Sequence, residues 1–340
     1  MKIKKISTPE KLCDEWDLLA GDSYLKRSFL SHIHTYNFCN QRYYELYHNN
    51  RFVAGTIVYT LKINFFTFSK LKLILPMHVI GIPVSIASEP LVGNNSYADH
   101  LLLKILKEEK GLILGLNFKK DYCINKVLNL RTLPTIILKN EFKDSFEFLD
   151  MMRHPYRRKL KLHSAKFREV TTTESSCRKF TPEHLQLYLN IMKKTTTKLE
   201  VLSLDFFQNL PSNFILTTHS FRDIMLAWQI CAIDNNNLFF FFGGINYDKR
   251  DEFSSYYNNL FSIVRYAIQY KYKIIDLGQT AELVKLRFGG TYSERRMFLY
   301  HPYWAIRLIL NLLRGFITYS DKYNIPAVFK QEMTGYSKNK

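Results

Sequence analysis

Apolar and polar positions follow one another most compactly between residues 238 and 301. An apolar run, 238–242, ends in Gly243 and Gly244. A polar turn over 246–252 then leads into a segment of helical spacing that contains Tyr256 and Tyr257. A short run, Ile274, Ile275, Asp276 and Leu277, stops at Gly278. A second helical segment carries Lys285 and ends at Phe288, Gly289 and Gly290, and a last strand pattern reaches His301. Strand-like runs closed by glycine, alternating with segments of period 3.6, predict a βαβαβ unit.

A similar order recurs upstream. The pattern predicts an edge strand within 1–10, a helix start at Thr8, Pro9 and Glu10 with Trp16, Leu18 and Leu19 facing the core, and a helix over 28–38. Residues 43–48 and 52–61 read as a hairpin, because Asn49 and Asn50 tolerate the positive φ of a tight turn. Strands bent at Pro76 and Pro83 fill 72–86. A helix over 97–109 places Leu101, Leu102, Ile105 and Leu106 on one face, and a buried strand follows at 112–116. A helix over 121–130 and a strand over 135–138 complete the first half. Thr181, Pro182 and Glu183 open a helix in the manner of residues 8–10, and strands at 214–219 and 224–233 precede the compact unit. The repeated order predicts an α/β (α+β) chain with two tandem domains, each a mixed, mostly antiparallel sheet flanked by helices. The expected boundaries are domains at 1–145 and 169–301, a connecting helix at 146–168 and a helical appendix at 302–340. Residues 337–340 are expected to fray.

Composition changes this picture in one respect. The net charge is +18, which favours an anionic partner such as nucleic acid, a pyrophosphorylated substrate or an acidic lipid surface; a solvated basic exterior is the plain alternative. Five scattered cysteines without a Cys-x-x-Cys pair indicate neither a zinc site nor a disulfide framework and suit a reducing cytoplasm. His32 and His34 lack a third ligand nearby in sequence, so no metal is expected. The charged N-terminus does not read as a signal peptide, and no apolar run is long enough to span a bilayer. The segment 303–317 is amphipathic with Arg307 and Arg314. It either packs on its own protein or lies in a membrane interface, which would make the protein peripheral to the inner face.

Candidate chemistry gathers on the compact unit. Gly243 and Gly244 within an apolar strand mark either a bulge with a free N–H, fit to hold a donor carbonyl and its oxyanion, or a simple strand end. The turn 246–252 precedes a helix, but its acids Asp248, Asp251 and Glu252 favour helix capping over phosphate binding. Asp276, at the carboxyl end of a strand, is placed to orient an amine, with Gln279 beside it, or to cap the helix that follows. Lys285 with Arg287 reads as a binder of anionic groups or as part of a solvated helix face. In the connector, seven Lys or Arg and no acid fall within 151–168. Tyr156, Arg157, Arg158 and Lys159 there suit RNA or a pyrophosphate, or form a solvated helix.

These short motifs resemble a known family. Phe242-Gly243-Gly244, the helix with Tyr256 and Tyr257, Ile275-Asp276-Leu277-Gly278, and Val284 to Gly289 look like the C-terminal half of a GNAT-fold acyltransferase. More narrowly, they look like the tandem-GNAT proteins related to Fem-type peptidoglycan aminoacyltransferases. Arg157-Arg158-Lys159-Leu160 looks like their basic interdomain helix. The resemblance covers most of residues 20–301. It implies transfer of an acyl group to a primary amine, with acyl-CoA (acetyl-CoA) as co-substrate and an acceptor amine on a small molecule or cell-wall precursor. It also implies donor contacts at Gly243, Gly244 and Tyr257, catalytic work at Asp276, Gln279 and Lys285, and substrate binding at Tyr156, Arg157, Arg158, Lys159 and Arg287. The turn 250–255 lacks the spaced glycines with which GNAT enzymes bind the CoA pyrophosphate. This keeps aminoacyl-tRNA open as the donor, and a non-catalytic binder of RNA or anionic lipid open as a different class.

Overall fold

The structure, a computed structural model, describes residues 1–84, 86–195 and 200–330; the expected frayed end at 337–340 lies outside them. Strand β1 (Lys2–Ile6) precedes helices α1 (Glu15–Leu19) and α2 (Arg27–Tyr36). Strands β2 (Arg42–His48), β3 (Arg51–Asn64), β4 (Ile74–Ile80) and β5 (Leu91–Gly93) follow, then helix α3 (Ala98–Glu108) and strands β6 (Ile113–Phe118) and β7 (Leu128–Lys139). Next come α4 (Ser145–Met151), α5 (His154–Ala165), β8 (Thr171–Ser176), α6 (Pro182–Lys194) and α7 (Leu204–Gln208). Strands β9 (Phe214–Phe221), β10 (Ile224–Asp234) and β11 (Asn237–Ile245) lead to α8 (Arg250–Phe253), α9 (Ser255–Gln269), β12 (Ile274–Asp276), α10 (Glu282–Leu286), β13 (Thr291–Tyr300), α11 (Trp304–Leu312) and α12 (Arg314–Ile317).

The chain divides into two compact units. The first comprises Met1–Pro134, Thr195–Pro211 and Glu294–Ser320; the second comprises Thr135–Lys194, Ser212–Ser293 and Asp321–Lys340. The division is discontinuous along the chain, whereas the pattern alone suggested cuts at 145, 168 and 301.

Each unit repeats one sheet plan. In the first, β1, β2, β3 and β4 pair antiparallel in that order, β4 pairs parallel with β6, and the C-terminal part of β13 closes antiparallel on β6. In the second, β8, β9, β10 and β11 pair antiparallel, β11 pairs parallel with β12, and the end of β7 closes antiparallel on β12. A helix precedes the parallel partner each time, α3 before β6 and α9 before β12, as a parallel crossover requires. The closing strand of each sheet comes from the other half of the sequence.

Strand periodicity explains the layers. In the first unit Val58, Ile80, Ile113 and Phe298 join Leu101, Leu102 and Ile105 of α3 on one face of the sheet. Their neighbours Tyr59, Val79, Leu114 and Leu299 join Leu310 and Ile317 on the other. In the second unit Leu260, Ile263, Val264 and Ala267 of α9 cover Leu238, Ile275, Ile136 and Leu138. The expected hairpin is present, with Asn49 and Asn50 at φ 50° and 58°.

Three expectations fail. No helix occupies 121–130; β7 starts at Leu128, because its alternation of buried and half-buried side chains is that of a strand. Trp16 is fully buried, but Leu18 and Leu19 are 81% and 43% exposed, since the five-residue α1 turns only one face inward. Residues 9–11 form a single 3₁₀ turn without a side-chain cap from Thr8.

Gly244 in the compact unit has a steric reason. A Cβ on Gly244 would lie 2.1 Å from Nε1 of Trp228, its cross-strand partner. That indole is fully buried and donates to the His184 carbonyl at 2.8 Å. The register shift in this pair falls at Phe241, not at the glycines. Gly244→Ala should therefore cost about 1–3 kcal/mol in denaturant unfolding through overpacking, whereas Phe241→Leu should leave the Trp228 environment unchanged by near-ultraviolet dichroism.

Candidate active site

The site belongs to the second unit and starts from a divergence of strands. Strand β12 pairs with β11 only at Asn237–Ile274, Leu238–Ile275 and Phe239–Asp276, and then ends. Strand β11 runs on to Ile245, still paired with β10 on its other side. Beyond Phe239, no described strand pairs with the β12 side of β11. Alternate peptide groups of 240–245 face that side, because an antiparallel strand points successive peptides to opposite edges.

The loop 276–281 stands beside this gap. Asp276 is half-buried. Its Oδ1 accepts from the Gly278 amide at 2.7 Å and from the Thr135 hydroxyl. It thus folds its own turn and does not cap α10, whose N-cap position is Ala281 without a side-chain cap. Gly278, Thr280 and Ala281 all have positive φ, at 73°, 62° and 48°. Two of these residues carry a Cβ, so the turn must be held by its surroundings.

Lys285 does much of the holding. The side chain enters from α10 and is 2% exposed. Its Nζ donates to the carbonyls of Gly278 at 3.1 Å and Gln279 at 2.6 Å and lies 5.9 Å from the centre of the Phe240 ring. Burial pushes the ammonium down to about 7, against the opposing pull of Asp276 and Glu282. Lys285 is therefore not a surface cation reaching for an anion, as the sequence suggested. It is a buried amine, close to neutrality at physiological pH, bound to the loop that borders the strand gap. Gln279 is half-buried beside it.

Sequence reasoning missed Thr135, Glu282 and Tyr292. Glu282 is buried and accepts from the Tyr292 hydroxyl at 3.0 Å. The available signal was the Glu282-x-x-Lys285 spacing, which places both side chains on one helix face. Thr135 gave no local signal, because it reaches Asp276 only through the β7–β12 pairing.

The remaining expected residues separate into two groups. Tyr257 stacks on His163 at 4.1 Å and lies 5.3 Å from the Lys159 ammonium and 6.0 Å from the Phe288 ring. The His163 Nδ1 meets the Ser254 hydroxyl at 2.9 Å. The basic helix α5 buries Leu160 and half-buries Tyr156 against the core, leaving Arg158 and Lys159 exposed. An open hollow of about 430 Å³ is lined by His154, Arg157, Arg158, Lys161, Leu162 and Ala165. Arg157 is already paired with Asp150 at 2.8 Å. Arg287 follows α10 and is half-buried. In the turn 246–255, Arg250 pairs with Asp251 at 2.9 Å, Lys249 pairs with Glu252 at 2.8 Å, and neither α8 nor α9 has a side-chain N-cap. Asp251 and Glu252 neutralise neighbouring cations, and no side chain caps either helix.

The Lys285 environment has a direct consequence for stability. A lysine held near 7 when folded and near 10.4 when unfolded leaves the unfolded chain holding more protons between those values, so stability rises with pH across that window. The slope is at most about 1.4 kcal/mol per pH unit for one group. Lys285→Met should remove this rise in denaturant unfolding between pH 7 and 10, and Lys159→Met should keep it.

No protein-family model and no curated protein matches the sequence. Among solved structures, FemX superposes with a TM-score of 0.56 at 13% identity over 92% of this chain and 100% of its own. The C-terminal domain of a putative lysylphosphatidylglycerol synthetase from Agrobacterium fabrum gives 0.54 at 9% identity over 91% of this chain and 96% of its own. L-PGS from Bacillus licheniformis gives 0.51 at 11% identity, over 85% and 91%. At such identities the likeness is one of fold, and the chain shares the fold of FemX and of the other two structures.

Proposed function

We propose that the protein transfers an aminoacyl group from an aminoacyl-tRNA ester to a primary amine, on a small molecule or a cell-wall precursor. The observation that carries this reading is the gap between β11 and β12 with the buried Lys285 amine at its border. Peptide N–H groups of 240–245 that face the gap are suited to hold the donor carbonyl and to stabilise the oxyanion as the amine adds. Gly243 and Gly244 lie on this stretch, and Tyr257 is assigned to the donor. Asp276 orients the attacking amine and Gln279 lines its approach. As the C–N bond forms, the amine loses a proton. As the C–O bond of the ester breaks, Lys285 gives a proton to the leaving ribose oxygen and regains one from the amine. An amine poised near neutrality suits both transfers at physiological pH.

The donor assignment rests on charge and on the turn 246–255. That turn has no glycine, and its cations are paired with Asp251 and Glu252. The exposed Arg158, Lys159 and Lys161 of α5, with Arg157, Tyr156 and Arg287, suit a polyanion spread over a wider surface. FemX shares the fold, and the resemblance to Fem-type aminoacyltransferases supports an aminoacyl donor. Acyl-CoA (acetyl-CoA) is the second reading, favoured by the N-terminus of the fifteen-residue α9 lying just beyond β11.

Transfer is tested with labelled aminoacyl-tRNA and, separately, labelled acetyl-CoA, each with a mixture of primary amines. Amine-dependent discharge of aminoacyl-tRNA is expected. Lys285→Met should lower kcat by about 100-fold or more with tRNA binding retained, and Arg158→Gln with Lys161→Gln should weaken tRNA binding and flatten its salt dependence. Transfer from acetyl-CoA alone would establish the second reading. Binding of tRNA without transfer from either donor would leave a non-catalytic binder.

A further inference from the structure

The first unit carries an apolar surface that the proposed reaction does not use. Helices α11 and α12 bear two apolar stripes. Ile306, Leu310, Leu313 and Ile317 turn inward onto the core. Trp304, Leu308, Ile309, Leu312 and Phe316 turn outward and are 71%, 53%, 53%, 74% and 52% exposed, with Tyr303 at 70%. The tip of the β3–β4 hairpin adds Leu71, Leu73 and Ile74, each close to half exposed. The two elements share a floor. Phe65, Phe66 and Phe68 of the hairpin belong to the same cluster as Ile306, Leu310 and Leu313, and Phe68 meets Tyr319 edge-on at 5.7 Å. An outward stripe this apolar is not needed to fold the helix, because the inward stripe already anchors it.

The charges carried by these two segments have one sign. Residues 61–75 contain Lys62, Lys70 and Lys72, and residues 303–319 contain Arg307 and Arg314; neither stretch contains an acid. Arg307 is drawn onto the carbonyls of His301 and Pro302 at the start of the helix. The three lysines and Arg314 are exposed. Aromatic and aliphatic tips on segments whose charges are all cationic match the interface of a bilayer with anionic headgroups: the tips enter the acyl boundary and the cations meet the phosphates. No described helix is long and apolar enough to cross a membrane, so the contact would be peripheral.

We infer that α11, α12 and the β3–β4 hairpin tip together dock the protein on an anionic lipid surface. The inference is independent of the donor and of the transfer reaction. It takes the second of the two roles that the pattern of residues 303–317 left open, since one face of the helix packs on the protein and the other does not.

Tryptophan fluorescence provides the test. The chain has three tryptophans; Trp16 and Trp228 are fully buried, and only Trp304 is exposed. The full chain is mixed with phosphatidylcholine vesicles, with and without about 30% phosphatidylglycerol, and followed by co-sedimentation and emission. Binding to the phosphatidylglycerol vesicles with a blue shift is expected, and Trp304→Phe should remove the shift while most binding remains. Leu308→Glu with Leu312→Glu should weaken binding by about tenfold or more. Lys70→Gln, Lys72→Gln and Arg314→Gln should each weaken it roughly fivefold. Because all these side chains are exposed, circular dichroism should confirm an unchanged fold. Three results overturn the inference: no binding to either vesicle, binding that the leucine changes leave intact, or a concentration-dependent dimer that those changes disrupt in the absence of any vesicle binding. The last result assigns the surface to a second copy of the chain.

Discussion

The ammonium of Lys285 has exchanged water for two backbone carbonyls, and the loop that borders the strand gap depends on that exchange. Burying an ion is costly unless hydrogen bonds replace its hydration. Here the cost is met by lowering the proton affinity of the amine and by tying it to Gly278 and Gln279. The same contacts hold a turn in which Thr280 and Ala281 sit in the left-handed region. The Asp276 carboxylate braces the other end through the Gly278 amide and Thr135. A strained loop, a half-buried acid and a near-neutral amine are thus one arrangement, and changing one member disturbs the others.

Strand order places this arrangement where it has chemical use. Parallel pairing of β11 and β12 lasts three residues and stops at Asp276, so the loop begins where the sheet opens. Strand β7 braces β12 from its far side, which is how Thr135 reaches Asp276 from a distant part of the sequence. The first unit has the same plan, with β4 and β6 as its parallel pair and β13 closing on β6. It lacks the equivalent lysine, because β6 is followed by 119–127 and then by β7, with no helix between. The duplicated architecture therefore carries the Lys285 loop in one copy only.

Much of this was legible in the sequence and some was not. The βαβαβ order, the Asn49–Asn50 hairpin and the tandem sheets follow from periodicity and turn chemistry, both of which are local. Asp276 and Lys285 were visible because polar residues interrupt apolar patterns at a strand end and on a short helix. The role of Lys285 was not visible, since exposure on a five-residue helix is decided by what packs above it. Thr135 and the exchange of closing strands depend on pairing between distant segments, which periodicity does not encode. Residues 121–130 were misread because apolar residues at mixed spacing fit either period until their neighbours are known.

The central claim is that the Lys285 amine titrates near neutrality inside the folded protein. Lysine side-chain NMR, with ¹³Cε labelling and the resonance assigned by its loss in Lys285→Met, reads this directly. A midpoint near 7 is the result expected. A midpoint near the ordinary lysine value of about 10.4 would contradict it and leave Lys285 as a cation that only ties the loop.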